Sequence, residues 1–333
     1  MSENTAGGQS RQVLINKGYV MKKKIFKIVI IIFILLLVLI IGGSYYIGLQ
    51  VFEGSTQLCT PEGTSEVSEG FWKTYNMSPD ELKEHYEIQA VNLTSTFDGH
   101  NIPGEYISAG EDHSQLVILI HGLGGNRYTN YPVAKHFLET GCDVITFDQR
   151  SSNENTAERT TYGIWEKYDV IDLMNYAKEL YPDIKIGLWG TSFGGATAIE
   201  AAAYNNTQES LEFLILDCPL GNAEYMITTE LEKMNTGIPT DYMLWLGDAI
   251  TKHKLGFSFK DADAIKKAQE IRIPTLVINS EADELTPVFM GTEIYENVNC
   301  DHKSIMTVPD SKHACIWEDH TEEYIEAIDS FLK

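Results

Sequence analysis

Ile186-Gly187-Leu188-Trp189-Gly190-Thr191-Ser192-Phe193-Gly194-Gly195-Ala196-Thr197-Ala198-Ile199 is the stretch whose reading decides the fold. An apolar run ends in Gly-x-Ser-x-Gly, and the small-residue pattern Ala196 to Ala203 follows at once. Strand, Gly-x-Ser-x-Gly, helix is the context in which this motif marks a nucleophile elbow. The turn is so tight that small residues are needed on both sides of the serine. It lifts Oγ out of the sheet and aims the next N–H, that of Phe193, at the reaction centre. A glycine-rich turn with an N-capping serine has the same letters. Partners farther along the chain therefore decide the reading.

Around this stretch, from about residue 87, strand and helix patterns alternate. Residues 91–96 and 105–108 read as an antiparallel hairpin around Asp98-Gly99. Further strands are expected at 116–120, 143–147, 184–189, 213–216, 275–278 and 304–308. Helical periodicity occupies about 131–140, 166–181, 193–204, 288–297 and 319–332. Continuous apolar strands joined by helical crossovers imply an α/β fold, with a mostly parallel sheet covered on both faces. Residues 219–272 break the rhythm. They hold no strand pattern and are rich in large apolar side chains, among them Tyr225, Met226, Leu231, Tyr242 and Trp245. An excursion of that size reads as a helical cap over the serine, at about 220–270, with a partner-binding insertion or extra helices that only lengthen the fold as the alternatives.

A base and an acid should follow the serine in the order Ser, Asp/Glu, His. His313 stands in a loop five residues past a strand end and just before a helix. From there it can reach back over the sheet to Oγ. His253, in the cap, His302, at a strand start, and His320, at an acidic helix start, are weaker candidates. Asp283, in Asn279-Ser280-Glu281-Ala282-Asp283-Glu284, is the expected acid, with Glu281 and Glu284 as rivals. Its carboxylate would hold the tautomer of His313 whose Nε2 faces the serine. His121-Gly122-Leu123-Gly124-Gly125 directly follows the strand at 116–120. Its Leu123 N–H and the Phe193 N–H are the expected oxyanion donors. His121 itself is expected to brace that loop. The spacing Gly-x-Gly-Gly does not match a dinucleotide-binding fingerprint.

The chain of 333 residues has a net charge of −23. Six basic residues against one acid give residues 1–27 a charge of +5, which leaves −28 on the rest. So acidic a body repels phosphates, and nucleic acid is not an expected partner. Residues 28–49 carry no charge, and Ile28 to Ile41 is an unbroken apolar run. A helix of about 20 such residues crosses a bilayer. The run exceeds the roughly 7–15-residue apolar core of a signal peptide, and Gly42-Gly43-Ser44-Tyr45 is a poor cleavage site. The expectation is an uncleaved anchor at 25–49, with a cytoplasmic segment at 1–24 and an extracytoplasmic body, because the lysines precede the run. Residues 50–65 read as a polar tether. Within the extension at 50–86, Ser78, Pro79 and Glu81 form a capping box, and Phe71, Trp72 and Tyr75 face the body. The five cysteines show no Cys-x-x-Cys spacing. A Cys300–Cys315 pair is conceivable in an oxidising compartment. No metal-ligand spacing is present, and no cofactor is expected.

These residues resemble the α/β-hydrolase superfamily across about 87–333. The likeness rests on His121-Gly122-Leu123-Gly124-Gly125, Asp148-Gln149-Arg150, Gly190 to Gly195, Asp283 before Pro287, and His313-Ala314. Within it, the chain is similar to bacterial membrane-anchored esterases and serine-aminopeptidase-like hydrolases. The resemblance implies an eight-stranded, mostly parallel sheet with a helical cap after the sixth strand. It also implies Ser192, Asp283 and His313 as nucleophile, acid and base, and Leu123 and Phe193 as oxyanion donors. Two places depart from the family pattern: Asn279-Ser280 before the acid, and Ser151-Ser152-Asn153-Glu154 after Arg150. The implied activity is hydrolysis of a carboxylic ester or related acyl bond, with Trp189, Phe193 and Trp245 suggesting an acyl or aromatic pocket. Peptidase and acyltransferase chemistry would use the same site, and a non-catalytic binding protein on this fold is the alternative class. The expected partners are a small-molecule or peptidic acyl substrate and the membrane.

Overall fold

Eight strands form one sheet in the computed structural model, which describes residues 6–74, 79–110 and 112–333. They are β1 (Glu87–Thr94), β2 (Asn101–Ser108), β3 (Gln115–Ile120), β4 (Asp143–Phe147), β5 (Lys185–Thr191), β6 (Leu211–Asp217), β7 (Thr275–Ser280) and β8 (Lys303–Val308). Their order is β1-β2-β4-β3-β5-β6-β7-β8. The pairs β1–β2 and β2–β4 are antiparallel, and every later pair is parallel. The chain winds one way from β3 to β4 and the other way from β3 to β5. Loops beyond the carboxyl ends of β3 and β5 therefore part and leave a crevice.

Side chains alternate across the sheet, as a period of two requires. Leu116, Ile118 and Ile120 join one core with Leu188, Leu214 and Leu216, against Ala196 and Ile199 of the helix Phe193–Ala202. Val117 and Leu119 join the other with Ile215 and Leu276, against Phe137, Tyr324 and Ile328. Both faces are thus covered by helices, which is why the central strands read as unbroken apolar runs.

Two helices, Ala223–Lys233 and Thr240–Leu255, make up most of the cap between β6 and β7. The N-terminal helix runs from Ala6 to Thr56. Its most apolar window has a mean hydropathy of 3.4 and is fully unburied, so it is long and apolar enough to cross a membrane. The expected polar tether differs from what is found. Residues 50–56 continue the helix, and Val51 and Phe52 are buried. A Cβ on Gly247 of the cap would lie 2.2 Å from Val51 Cγ1, so helix and cap touch backbone-close. The polar letters that suggested a tether meet polar partners: Glu53 pairs with Arg159 at 2.5 Å, and the Ser55 carbonyl accepts from Tyr162 Oη. The chain then passes over the loops after β3 and β4. There Asn126 Nδ2 donates to the Thr64 carbonyl, and the Asn153 N–H donates to Thr64 Oγ1. Trp72 meets Tyr128 edge-on. Ser78, Tyr75 and the Phe71 side chain lie outside the described residues. All five cysteines are free, so the Cys300–Cys315 pair is not formed.

Candidate active site

Ser192 closes the turn between β5 and the helix Phe193–Ala202, with φ 55° and ψ −118°. An L-residue stays in that region only when its surroundings hold it there. Here the Ser192 N–H donates to the Asp217 carbonyl at 2.8 Å, and its carbonyl accepts from the N–H groups of Gly195 and Leu220. A Cβ on Gly190 would lie 2.4 Å from the Gly194 carbonyl oxygen, and one on Gly194 would lie 2.1 Å from that of Ile120. These approaches are the physical reason for glycine on both sides of the serine.

The loops after β7 and β8 bring two groups to the hydroxyl. His313 Nε2 lies 2.8 Å from Ser192 Oγ, and His313 Nδ1 lies 2.7 Å from Asp283 Oδ2. Asp283 is buried, whereas its sequence rivals Glu281 and Glu284 are exposed. Asp283 Oδ1 accepts from the N–H groups of Leu285 and Thr286 at 2.8 and 2.9 Å. Thr286 Oγ1 lies 2.9 Å from Oδ2 and 3.1 Å from His313 Nδ1. Burial raises the Asp283 carboxyl, but hydrogen bonds and charge from His313, with Thr286, outweigh it and hold the group below its ordinary value. The other histidine candidates stay apart. His253 and His302 are exposed, and His320 bonds Asp310 at 2.8 Å.

Leu123 lines both cavities that reach Ser192, and Phe193, the next residue after the serine, lines one of them. Among the described residues, neither N–H has an acceptor within the protein. A Cβ on Gly122 would lie 3.4 Å from Ser192 Cβ, so the loop after β3 rests on the elbow. Two cavities, of about 220 and 290 Å³, share Leu123, Ser192 and His313 in their walls. The smaller extends past Trp189, Trp317 and Asp217. The larger runs under the cap past Phe193, Leu220 and Met226. Trp245 lines neither; it is 63% exposed on the outside of the cap and stacks on Tyr242. The expectation that Trp245 shapes the pocket is corrected: its helix turns that face outward.

A family model described as the alpha/beta hydrolase fold matches residues 115–241, the segment that carries the elbow and the Leu123 loop. The chain has the α/β-hydrolase fold. The esterase Pf2001 of Pyrococcus furiosus superposes with a TM-score of 0.61 at 24% identity, over 77% of this chain and 95% of that one. YqkD, an uncharacterized protein of Bacillus subtilis (strain 168), is 24% identical over 250 residues, 75% of this chain and 80% of the relative. A proline iminopeptidase of Saccharolobus solfataricus is 22% identical over 298 residues, 74% of this chain and 94% of the relative.

Behind the serine, this hydrolase carries a buried polar clamp. His121 Nε2 accepts from the Gln149 N–H at 2.9 Å, and Gln149 Nε2 donates to the His121 carbonyl. Gln149 Oε1 accepts from Thr197 Oγ1 at 3.0 Å, which ties the loops after β3 and β4 to the elbow helix. Burial lowers the pKa of His121, so the ring is held neutral as a brace. The departure Ser151-Ser152 fits the same clamp, because Ser152 Oγ lies 3.2 Å from His121 Nε2.

Sequence reasoning missed Asp217 and Thr286. Asp217 ends β6 inside an apolar run, and its Oδ1 is buried with no hydrogen-bond partner among the described residues. Burial pushes its carboxyl up to about 6, against the opposing charge of His313. The one signal for Asp217 is a charged residue closing an otherwise apolar strand. For Thr286 it is a hydroxyl three residues past the acid. Cys218, Asp283 and His313 place ligand-type atoms within 4.8 Å of one another. Burial holds the Cys218 thiol well above its ordinary value, and the thiolate is the metal-binding form. Both His313 nitrogens already face Ser192 and Asp283. His313 and Asp283 are thus committed to the hydrogen-bonded line from Ser192, and a protonated Cys218 thiol is a poor ligand for an ion.

Proposed function

We propose that this protein is a membrane-anchored serine hydrolase that cleaves a carboxylic ester or related acyl bond through an acyl-enzyme. One observation carries the reading: a continuous hydrogen-bonded line from Ser192 Oγ through His313 to Asp283, at 2.8 and 2.7 Å. Ser192 Oγ attacks the acyl carbonyl while His313 Nε2 takes its proton. The N–H groups of Leu123 and Phe193 take the charge on the tetrahedral oxygen. His313 returns the proton to the departing alcohol as the carbonyl–oxygen bond breaks. Water then adds to the acyl-enzyme, its proton passing to His313, and Ser192 leaves with that proton as the acid is released. Asp283, ionised and held by four donors, keeps the ring in place and balances its charge. The lysines before the apolar helix support a cytoplasmic N-terminus and a catalytic body outside the membrane.

A second reading has an observation of its own. Asp217, whose buried Oδ1 has no hydrogen-bond partner among the described residues, lines the smaller cavity beside Ser192. A buried carboxylate there would accept the ammonium of an N-terminal residue, which is what an aminopeptidase needs. Comparing p-nitrophenyl esters with aminoacyl p-nitroanilides on the full chain separates the two readings. Under both, Ser192→Ala and His313→Ala abolish turnover with little change in melting temperature, and Asp283→Asn lowers kcat by about 10⁴-fold. Turnover retained in either alanine variant overturns the assignment of the site.

A further inference from the structure

A third cavity, of about 490 Å³, lies where the N-terminal helix meets the cap, and the chemistry above makes no use of it. Tyr46, Ile47 and Val51 of the helix form one wall; Met226, Ile238 and Met243 of the cap form another. Its size falls within the range of about 300–1,000 Å³ usual for ligand cavities. Leu58, Met226 and Glu230 belong both to its wall and to the wall of the larger cavity at Ser192. The two spaces therefore adjoin, one lined by Ser192 and the other by Tyr46.

Tyr46 marks the level at which the helix leaves its apolar run. Tyr45 and Tyr46 are exposed there, and Ser44 Oγ lies 2.6 Å from Tyr242 Oη of the cap. That contact sets exposed Tyr242 and Trp245 at the same height, a cluster of aromatics of the kind found at membrane–water interfaces. Among the described residues, both charged groups in the wall of the third cavity are paired, and the exposed Glu284 stands in the wall of the cavity at Ser192. Glu53 is paired with Arg159 at 2.5 Å and Glu230 with Lys233 at 2.7 Å. The remaining lining is mostly apolar. An unbranched hydrocarbon chain fits such a space, and a charged or branched polar group does not.

We propose that these adjoining cavities hold the acyl chain of the substrate, a long-chain ester or thioester drawn from the bilayer, with the membrane helix itself serving as one wall of the acyl site. The inference rests on Ser192 as nucleophile and on the helix Ala6–Thr56 as the anchor. It gives the unusual length of that helix a purpose, since the turns after the apolar run complete the cavity.

The test uses the full chain in a steroidal detergent, which has no alkyl chain to compete. Each methylene that reaches an apolar wall raises kcat/KM by about fourfold, so p-nitrophenyl palmitate should exceed p-nitrophenyl butyrate by at least about a hundredfold. Ile47→Trp and Ile238→Trp, from opposite walls, should each lower the palmitate-to-butyrate ratio at least tenfold. A diazirine-bearing long-chain fatty acid, photolysed on the Ser192→Ala protein, should label cap residues between 226 and 243. The label should weaken in both tryptophan backgrounds. Butyrate turnover without chain preference, and without labelling in the cap, overturns the acyl passage and leaves the nucleophile assignment standing. Labelling in the cap with no ester turned over at any length supports the passage and overturns the nucleophile. Equal loss of palmitate and butyrate in both variants, with labelling unchanged, also counts against the passage.

Discussion

The elbow at Ser192 and the seam between the N-terminal helix and the cap are both places where backbones come unusually close, yet they are held by different physics. At the elbow, the atoms that exclude a side chain are carbonyl oxygens. A Cβ on Gly194 would meet the Ile120 oxygen at 2.1 Å and the His121 oxygen at 2.6 Å. Those carbonyls belong to a strand end and to the loop that presents Leu123, so nothing there can yield without moving the candidate oxyanion donors. At the seam, a Cβ on Gly247 would meet the Val51 side chain at 2.2 Å. A side chain can rotate, and a helix pair can separate by a fraction of an ångström. The elbow is built for fixed geometry, the seam for close packing beside an apolar void. Under the proposed function, catalytic precision belongs to one of these regions and room for a ligand to the other.

The comparison can be broken from either side. The largest effect is expected from Gly194→Ala, which displaces the backbone under Leu123. Activity should fall by about 10²–10³-fold, as when one oxyanion donor is lost. A variant with near-normal kcat would show that the close approach does not set the site. Next is Asp217→Asn. In the native protein burial raises this carboxyl to about 6, so the folded state keeps its proton where the unfolded chain has lost it. Native stability should therefore fall as pH rises from about 4 to about 6, by on the order of 3 kcal/mol, and the asparagine variant should lose that dependence. Urea melts at several pH values test it; parallel curves for the two proteins would contradict it. The smallest effect is expected from Gly247→Ala. Overpacking there should lower stability by about 1–3 kcal/mol, with butyrate turnover far less affected than in Gly194→Ala. Equal loss of activity in the two variants would erase the distinction between elbow and seam.

The same contrast explains what could be read from the chain. The elbow is a local object: strand, turn and helix lie within about twenty consecutive residues, and the Gly-x-Ser-x-Gly letters mark it even though the steric reason for Gly194 comes from the Ile120 and His121 carbonyls of another strand end. The order Ser192, Asp283, His313 was legible because the sheet returns each loop to the same edge. Asp283 stood out from Glu281 and Glu284 only weakly, since burial, which separates them, is a property of the folded loop. Asp217 was hidden because a strand-end carboxylate beside Cys218 and Pro219 carries no spacing signal. The seam was illegible for a different reason. Val51 and Gly247 are far apart in the chain, and the polar letters Glu53 to Thr56 find their partners in Arg159 and Tyr162. Composition alone made that segment look like a solvated tether, and Trp245 look like a pocket residue.

Reaction of the full chain with a fluorophosphonate, followed by peptide mapping, tests the central claim most directly. Only a serine whose proton can be taken by a neighbouring base reacts readily. The account predicts one adduct, on the peptide carrying Ser192, formed at a rate that collapses in His313→Ala. An unlabelled Ser192, or labelling that persists undiminished without His313, would contradict it.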